Sequence, residues 1–282
     1  MPELPELQAL AEGLSTALSG RMITGATAWQ PAALKTAEPT LDALVGQVVA
    51  DVWRRGKLIG ITTGELTILV HLMQGGRLGV TRTSPKRPGR TVAVSVALDG
   101  GQELRLRESG TEHRASVHLL DAAGLAAHEP LTRLGPEPIG LTASTWHERL
   151  ASPPARLHTA LRDGRRIAGI GRAYASDIMW AARLAPFARS DRLTDADCTR
   201  LAAAADTVLA QALERARERI TTDLPDREAR VTAVHRHYGD PCLRCGRRLE
   251  RVSFAGYELV YCPDCQTEGR VLADRRLSRL LR

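Results

Sequence analysis

Four cysteines constrain this chain more than any other feature. Cys242 and Cys245 are two residues apart, as are Cys262 and Cys265, and sixteen residues separate the pairs. Two such knuckles suit one tetrahedral Zn2+ held by four thiolates, a structural zinc ribbon. Two disulfides are the alternative reading. The first residues, Met-Pro-Glu-Leu-Pro-Glu, are acidic where a secretion signal would be basic, which counts against that alternative. A segment this small has no core of its own, so metal binding would supply its folding energy. The stretch 252–261 alternates as a hairpin would. Nine arginines against five acids over 241–282 give +4, which favours DNA over a protein partner for the ribbon. Cys198 stands alone on a helical pattern and reads as an ordinary thiol.

The rest of the chain is long enough for more. At about 150 residues per domain, 282 residues suggest roughly two domains. Apolar residues at 43% and charged residues at 25% exclude disordered, collagenous and coiled-coil classes. No apolar run approaches the roughly 20 residues that span a bilayer, so no membrane partner and a cytoplasmic location are expected. The net charge is +7, and of 39 basic residues only Lys35, Lys57 and Lys86 are lysine. Arginine grips phosphate with a bidentate fork. Charge alone leaves a nucleic-acid protein and a merely basic enzyme equally open. At 4% aromatic content, a multi-ring platform for single strands is not expected.

Periodicity divides the chain. Leu4, Leu7, Leu10, Leu14 and Leu18 predict a helix over 3–19, stopped by Gly20. Short β-branched segments follow at 22–29, 47–53, 58–62, 66–72, 91–98 and 116–120, punctuated by glycines, and predict an antiparallel sandwich or barrel. Residues 84–90 read as a mobile loop. The Gly/Pro-rich stretch 131–144 reads as a linker. Helical patterns follow at 145–151, 154–163, 173–184 and about 194–220. The expected fold is α+β: an N-terminal helix and antiparallel β-sandwich over 1–130, a helical domain over 131–230, and the zinc ribbon over 231–282.

Two residue types carry chemistry outside the cysteines. Pro2, freed by loss of Met1, would present a secondary α-amine. Such an amine titrates near 8, well below lysine, and attacks an aldehyde-level carbon to form a cationic Schiff base. Glu3 beside it is placed to shuttle protons. A Pro-Glu start in isolation is weak evidence, because many chains have a small second residue. Lys57 follows Trp53-Arg54-Arg55-Gly56 at a strand end. In a chain that otherwise uses arginine, it reads as a phosphate contact or an acid, or as a solvated cation.

Taken in order, these pieces resemble the Fpg/Nei family, the formamidopyrimidine-DNA glycosylase and endonuclease VIII group. The likeness runs through Pro2-Glu3-Leu4-Pro5-Glu6, Arg54-Arg55-Gly56-Lys57, His71-Leu72, Gly169-Ile170-Gly171-Arg172-Ala173-Tyr174-Ala175-Ser176 and the closing Cys262-Pro263-Asp264-Cys265-Gln266. The resemblance implies a helix–two-turn–helix domain and a base-excision-repair glycosylase with abasic-site lyase activity. Pro2 would attack sugar C1′, Glu3 would be the acid/base, Lys57 would contact the lesion phosphate, and Glu6 would support them. The partner would be damaged double-stranded DNA with a flipped lesion, bound by a monomer that carries one structural zinc. The expected DNA contacts are His71, Gln74, Arg114, Arg172 and Tyr257.

The chain also departs from the family pattern. Arg172 stands where asparagine is usual, and His158 stands near a usual lysine. Gln74 replaces a common methionine, and the loop 108–114 lacks the usual Arg-x-Phe. Tyr257 follows Gly256 where many members carry the arginine that reaches the lesion phosphate. These differences point to a divergent branch, with an oxidised pyrimidine, a bulky adduct or only an abasic site as its lesion. The alternatives are a non-catalytic or lyase-only paralogue that binds lesion or abasic DNA, and an unrelated zinc-ribbon nucleic-acid binder.

Overall fold

The structure, a computed structural model, describes residues 1–83, 88–109, 112–220, 222–224, 230–254 and 257–272, with Phe254 and Tyr257 described by backbone alone. Most of the expected 84–90 loop lies outside the described residues. The chain divides into two compact units. One is Met1–Arg133 with Ala212–Ala229, and the other is Leu134–Gln211 with Arg230–Arg282.

The first unit starts with α1 (Leu4–Leu18). Its five periodic leucines are each at most 1% exposed, so the leucine stripe is the buried face. Glu3 caps the helix in a reciprocal box with Glu6, and Gly20 leaves it at φ 79°. Eight strands follow: β1 (Ile23–Ala28), β2 (Asp51–Arg55), β3 (Leu58–Thr62), β4 (Leu66–His71), β5 (Gly76–Arg82), β6 (Val92–Leu98), β7 (Gln102–Glu108) and β8 (Ser116–Asp121). They form two four-stranded antiparallel sheets, ordered β1-β6-β7-β5 and β2-β3-β4-β8. The apolar faces of both sheets and the α1 stripe belong to one hydrophobic core. Two short helices, α2 (Ala122–Ala127) and α3 (Glu129–Thr132), close this part of the chain.

Three details differ from the sequence reading. The strand expected over 47–53 begins at Asp51, because residues 47–49 instead bond to Gly20, Arg21 and Ile23 in an irregular crossing. The strands β5 and β7 were not expected. In β7, Leu104 and Leu106 point inward, while Glu103, Arg105 and Arg107 alternate onto the opposite face. That polar face is satisfied by an Arg105–Glu103 pair and by an ion pair between Arg107 and Asp223.

The second unit holds α4 (Ala143–Ala151), α5 (Leu157–Arg162), α6 (Arg172–Ala181) and the start of α7 (Asp195–Arg219). The hydroxyl of Thr142 accepts the Thr145 amide and starts α4 two residues before the expected 145. Pro153 and Pro154 delay α5 to Leu157. Arg183, at φ 57°, ends the α6 segment before 184. The zinc-ribbon segment adds a hairpin of β9 (Glu250–Phe254) and β10 (Tyr257–Tyr261), with Tyr261 opposite Glu250, and a short α8 (Pro263–Thr267). Among the described residues no helix is long and apolar enough to cross a membrane.

Candidate active site and zinc centre

The N-terminal motif is folded into α1 rather than trailing from it. Pro2 is buried, and Glu3 and Glu6 are only 3% and 7% exposed. The Glu3 amide donates to Glu6 Oε2 at 2.9 Å. Leucine packing fixes α1, α1 fixes Glu6, and Glu6 fixes the backbone of Glu3. The second motif is the β2–β3 hairpin, turned at Gly56 (φ 58°), where a left-handed residue is needed. Arg54 Nε donates to Gln8 Oε1 at 2.9 Å, so the hairpin that carries Lys57 is tied to α1. The two motifs, about fifty residues apart in sequence, thus share one scaffold.

His71 ends β4. Its neighbours in register are Leu58, next to Lys57, and Ser116. Burial, with the charges of Lys57 and His118 added, pushes its imidazole down to about 4. Its Nε2 is buried with no hydrogen-bond partner. A neutral imidazole beside a lysine, with an unused nitrogen, is placed to gain from an arriving anion.

After His71 the chain turns through Met73, which has φ 50°, and the exposed Gln74. Facing this turn, the segment after β7 carries His113 at φ 41°. Together they line a cleft of about 210 Å3 that includes Glu108, Glu112 and Arg114. Glu108 is buried. It accepts the Ala115 amide at 2.7 Å and lies 3.7 Å from His113 Nδ1. Exposed Arg114 lies 3.5 Å from Glu112. Two side-chain-bearing residues in left-handed conformation at one cleft is a concentration of strain of the kind functional loops hold.

In the second unit the turn Gly169-Ile170-Gly171 leads into α6, with Gly169 at φ 83°. Arg172 is the first helical residue and is exposed, so its guanidinium joins the positive end of the helix dipole. Asp177 on the same helix is 4% exposed and accepts the amides of Ala233, Val234 and His235 at 2.7, 3.1 and 3.2 Å. Burial raises its carboxyl, while the three amides act in the opposite sense. His235 is held down to about 4 by burial and by the charges of Arg236, Arg230 and Arg172. His158 is pushed to about 3 by burial and by the charge of Arg162, so its imidazole is neutral. Sequence reasoning missed Asp177 and His235; no spacing marks them, because their partners lie more than fifty residues away.

The four ribbon cysteines converge, with every sulfur within 4.8 Å of the others. A tetrahedral zinc with Zn–S bonds of about 2.3 Å needs sulfur–sulfur edges of about 3.8 Å. The observed edges include 3.4 Å (Cys245–Cys262), 3.6 Å (Cys245–Cys265) and 3.9 Å (Cys242–Cys265). The donor set therefore fits one structural zinc. Amides of Arg244 and Cys265 point at Cys242 and Cys262 from 3.5 Å. Burial would raise the Cys242 thiol. Hydrogen bonds from the Arg244 and Cys245 amides and the Trp180 indole outweigh it and bring the thiol to about 6. Tyr257 cannot be placed as a DNA contact, since its side chain and residues 255–256 lie outside the described residues.

Comparison with known proteins covers the whole of this architecture. Residues 1–111 match the sequence model of the formamidopyrimidine-DNA glycosylase N-terminal domain, 134–223 that of its H2TH domain, and 239–267 the zinc finger found in FPG and IleRS. The formamidopyrimidine-DNA glycosylase of Geobacter sulfurreducens is 31% identical over 276 residues, covering 94% of this chain and all of the relative. That of Herpetosiphon aurantiacus is 33% identical, with the same coverage of both chains. An uncharacterized formamidopyrimidine-DNA glycosylase-like protein of Mycobacterium tuberculosis is 38% identical over 149 residues, 53% of this chain and 94% of its own length. In fold, the chain is similar to a Lactococcus lactis FPG mutant complexed with Fapy-dG DNA (TM-score 0.84, 21% identity, 94% of this chain and 100% of that one). It is also similar in fold to MutM in complex with carbocyclic 8-oxo-G containing DNA (TM-score 0.82, 21% identity, the same coverage). Full-length identity above 30%, with all three domain models matched in order, places this chain in the formamidopyrimidine-DNA glycosylase family.

Proposed function

We propose that the chain is a base-excision-repair DNA glycosylase with abasic-site lyase activity, acting on damaged double-stranded DNA as a cytoplasmic monomer. The observation that carries this reading is the buried Pro2-Glu3 start, capped by Glu6 and tied through Arg54 to the hairpin of Lys57. Removal of Met1 frees the Pro2 nitrogen. Its lone pair attacks sugar C1′, the base leaves with its glycosidic electron pair, and the sugar ring opens to a cationic Schiff base. Glu3 takes the proton that the Pro2 nitrogen loses and delivers it to the opening ring oxygen, while the departing base takes its proton from water. The iminium draws off electrons, a C2′ proton is lost, and the 3′ phosphate departs in β-elimination. Lys57 neutralises that phosphate.

The DNA-holding roles go to His71, Gln74, Arg114, Arg172 and Tyr257, with zinc bound by Cys242, Cys245, Cys262 and Cys265. Catalysis belongs to residues 1–130, backbone grip to 131–230 and the ribbon to 231–282. With Tyr257 standing where many family members carry an arginine, the lesion is an oxidised pyrimidine, a bulky adduct or an abasic site.

Borohydride reduction on abasic duplex tests the reading. A covalent adduct that requires Pro2 and a free N-terminus is expected. Absence of the adduct, with tight abasic-DNA binding that survives Pro2→Gly and Glu3→Gln, would leave a lesion-binding paralogue instead.

A further inference from the structure

Helix α6 ends against the zinc centre in a way that packing alone does not require. The indole Nε1 of Trp180 donates to Cys242 Sγ at 3.3 Å. The guanidinium of Arg244, inside the first Cys-x2-Cys knuckle, lies 4.3 Å above the centroid of the same indole. It also donates to the carbonyls of Trp180 and Ala181, in the last turn of α6, at 3.1 and 3.2 Å, and the Trp180 carbonyl accepts the Arg183 amide as well. The second knuckle is tied to the same place. Gln266 accepts the Cys262 amide at 2.9 Å and donates to Leu184 O at 2.8 Å.

We propose that Trp180 and Arg244 form a ligand-tuning pair: the indole N–H, polarised by the guanidinium on its face, makes Cys242 the ligand that holds zinc longest. A hydrogen bond into a thiolate draws density from sulfur and lowers its nucleophilicity. Cys242 receives this indole donor and is only 3% exposed. Cys245 is exposed, and among the described residues no side-chain N–H or O–H donates to it. The four ligands are therefore ranked, with Cys245 the first to leave zinc and Cys242 shielded. Trp180 is a positioning residue in this account, since it acts through a ligand and touches no substrate. The inference stands apart from the lyase chemistry and does not depend on it.

The test uses the full-length, zinc-loaded protein and two readouts other than activity. The first is the rate of zinc transfer to 4-(2-pyridylazo)resorcinol, followed by absorbance. The second is the order of cysteine alkylation by N-ethylmaleimide, read by peptide mass spectrometry. Each alkylation forms one S–C bond, the maleimide carbanion takes a proton from water, and the metal loses one ligand. Replacing Trp180 by 3-benzothienylalanine keeps the ring shape and removes only the donor. Zinc transfer should then accelerate about tenfold, the scale of one hydrogen bond to a charged acceptor. Cys242 should move forward in the alkylation order while Cys245 stays first. Arg244→Met, which keeps the aliphatic stem but not the charge, should give a smaller acceleration in the same direction. Unchanged transfer and an unchanged order in the benzothienyl variant would overturn the proposal. So would acceleration seen only in Trp180→Ala, since that would assign Trp180 to packing alone.

Discussion

The half-buried neutral imidazole of His71 ties DNA binding to protons. In the free protein burial and the charge of Lys57 hold it at about 4. A phosphate reaching its unused Nε2 offsets that depression with an opposite charge and a hydrogen-bond acceptor. Restoring only the ordinary value of about 6.5 is a rise of about 2.5 units, or about 3.4 kcal/mol between the protonated forms. The sign follows from linkage: the complex binds the proton more tightly, so affinity rises as pH falls through 6.5 and levels off near 4. From pH 8, where neither state is protonated, to pH 5.5, the expected gain is about tenfold, or about 1.4 kcal/mol. The assay is fluorescence anisotropy on a duplex with a tetrahydrofuran abasic analogue, at fixed ionic strength because phosphate contacts are salt-sensitive. His71→Gln should flatten the profile, leaving only the share that His235 contributes beside Arg172. A pH slope identical in wild type and His71→Gln would refute the reasoning.

The same depressed imidazoles oppose stability at low pH. His71, His158 and His235 are held at about 4, 3 and 4, so the fold keeps their neutral forms. Their contribution is complete above about 6.5 and is lost as pH falls towards those values, at up to about 1.4 kcal/mol per group and pH unit. Urea titrations between pH 7 and 5 should show that fall; constant stability would contradict it. Removing zinc with a chelator should release one ion per chain and unfold the ribbon, seen in the near-ultraviolet circular dichroism of Tyr261 and Trp180. Glu6→Ala should slow borohydride trapping by about ten- to a hundredfold, as a lost charged hydrogen bond of about 1.5–3 kcal/mol allows, whereas Glu6→Gln keeps the acceptor and most of the rate. Gly60→Ala should lower thermal stability by about 1–3 kcal/mol, because a Cβ there would overlap the Trp53 ring.

What was legible in the sequence depended on how local its cause is. The leucine stripe of α1 and the ends of β3 are written in adjacent residues, and both expectations match the structure. The zinc ligands are written in spacing, and the sulfurs meet as that spacing requires. The strands β5 and β7 were missed because arginine, glutamate and glycine hide an alternation that pairing with Asp223 and across the sheet makes sense of. The Pro2, Lys57 and His71 motifs could be ordered along the chain. The Arg54–Gln8 bond that joins the first two, and the Asp177 cradle for 233–235, are tertiary and leave no local mark. Met73 shows the opposite case: its residue type argues against φ 50°, and only the folded turn reveals that it accepts it.

The long helix α7 carries a consequence for how this architecture can be inherited. Its last turns put Ala216 into the sandwich core, followed by Ile220 and Leu224, and Arg217 grips Glu12 of α1 with two bonds of 2.9 Å. The sandwich is therefore a discontinuous unit, closed by residues read nearly a hundred positions after its final strand. A ribosome that has finished the eight strands has not yet made the pieces that seal them. The N-terminal unit should thus complete its core only late in synthesis, and recombination that cuts at the apparent linker would separate a sandwich from its own closure.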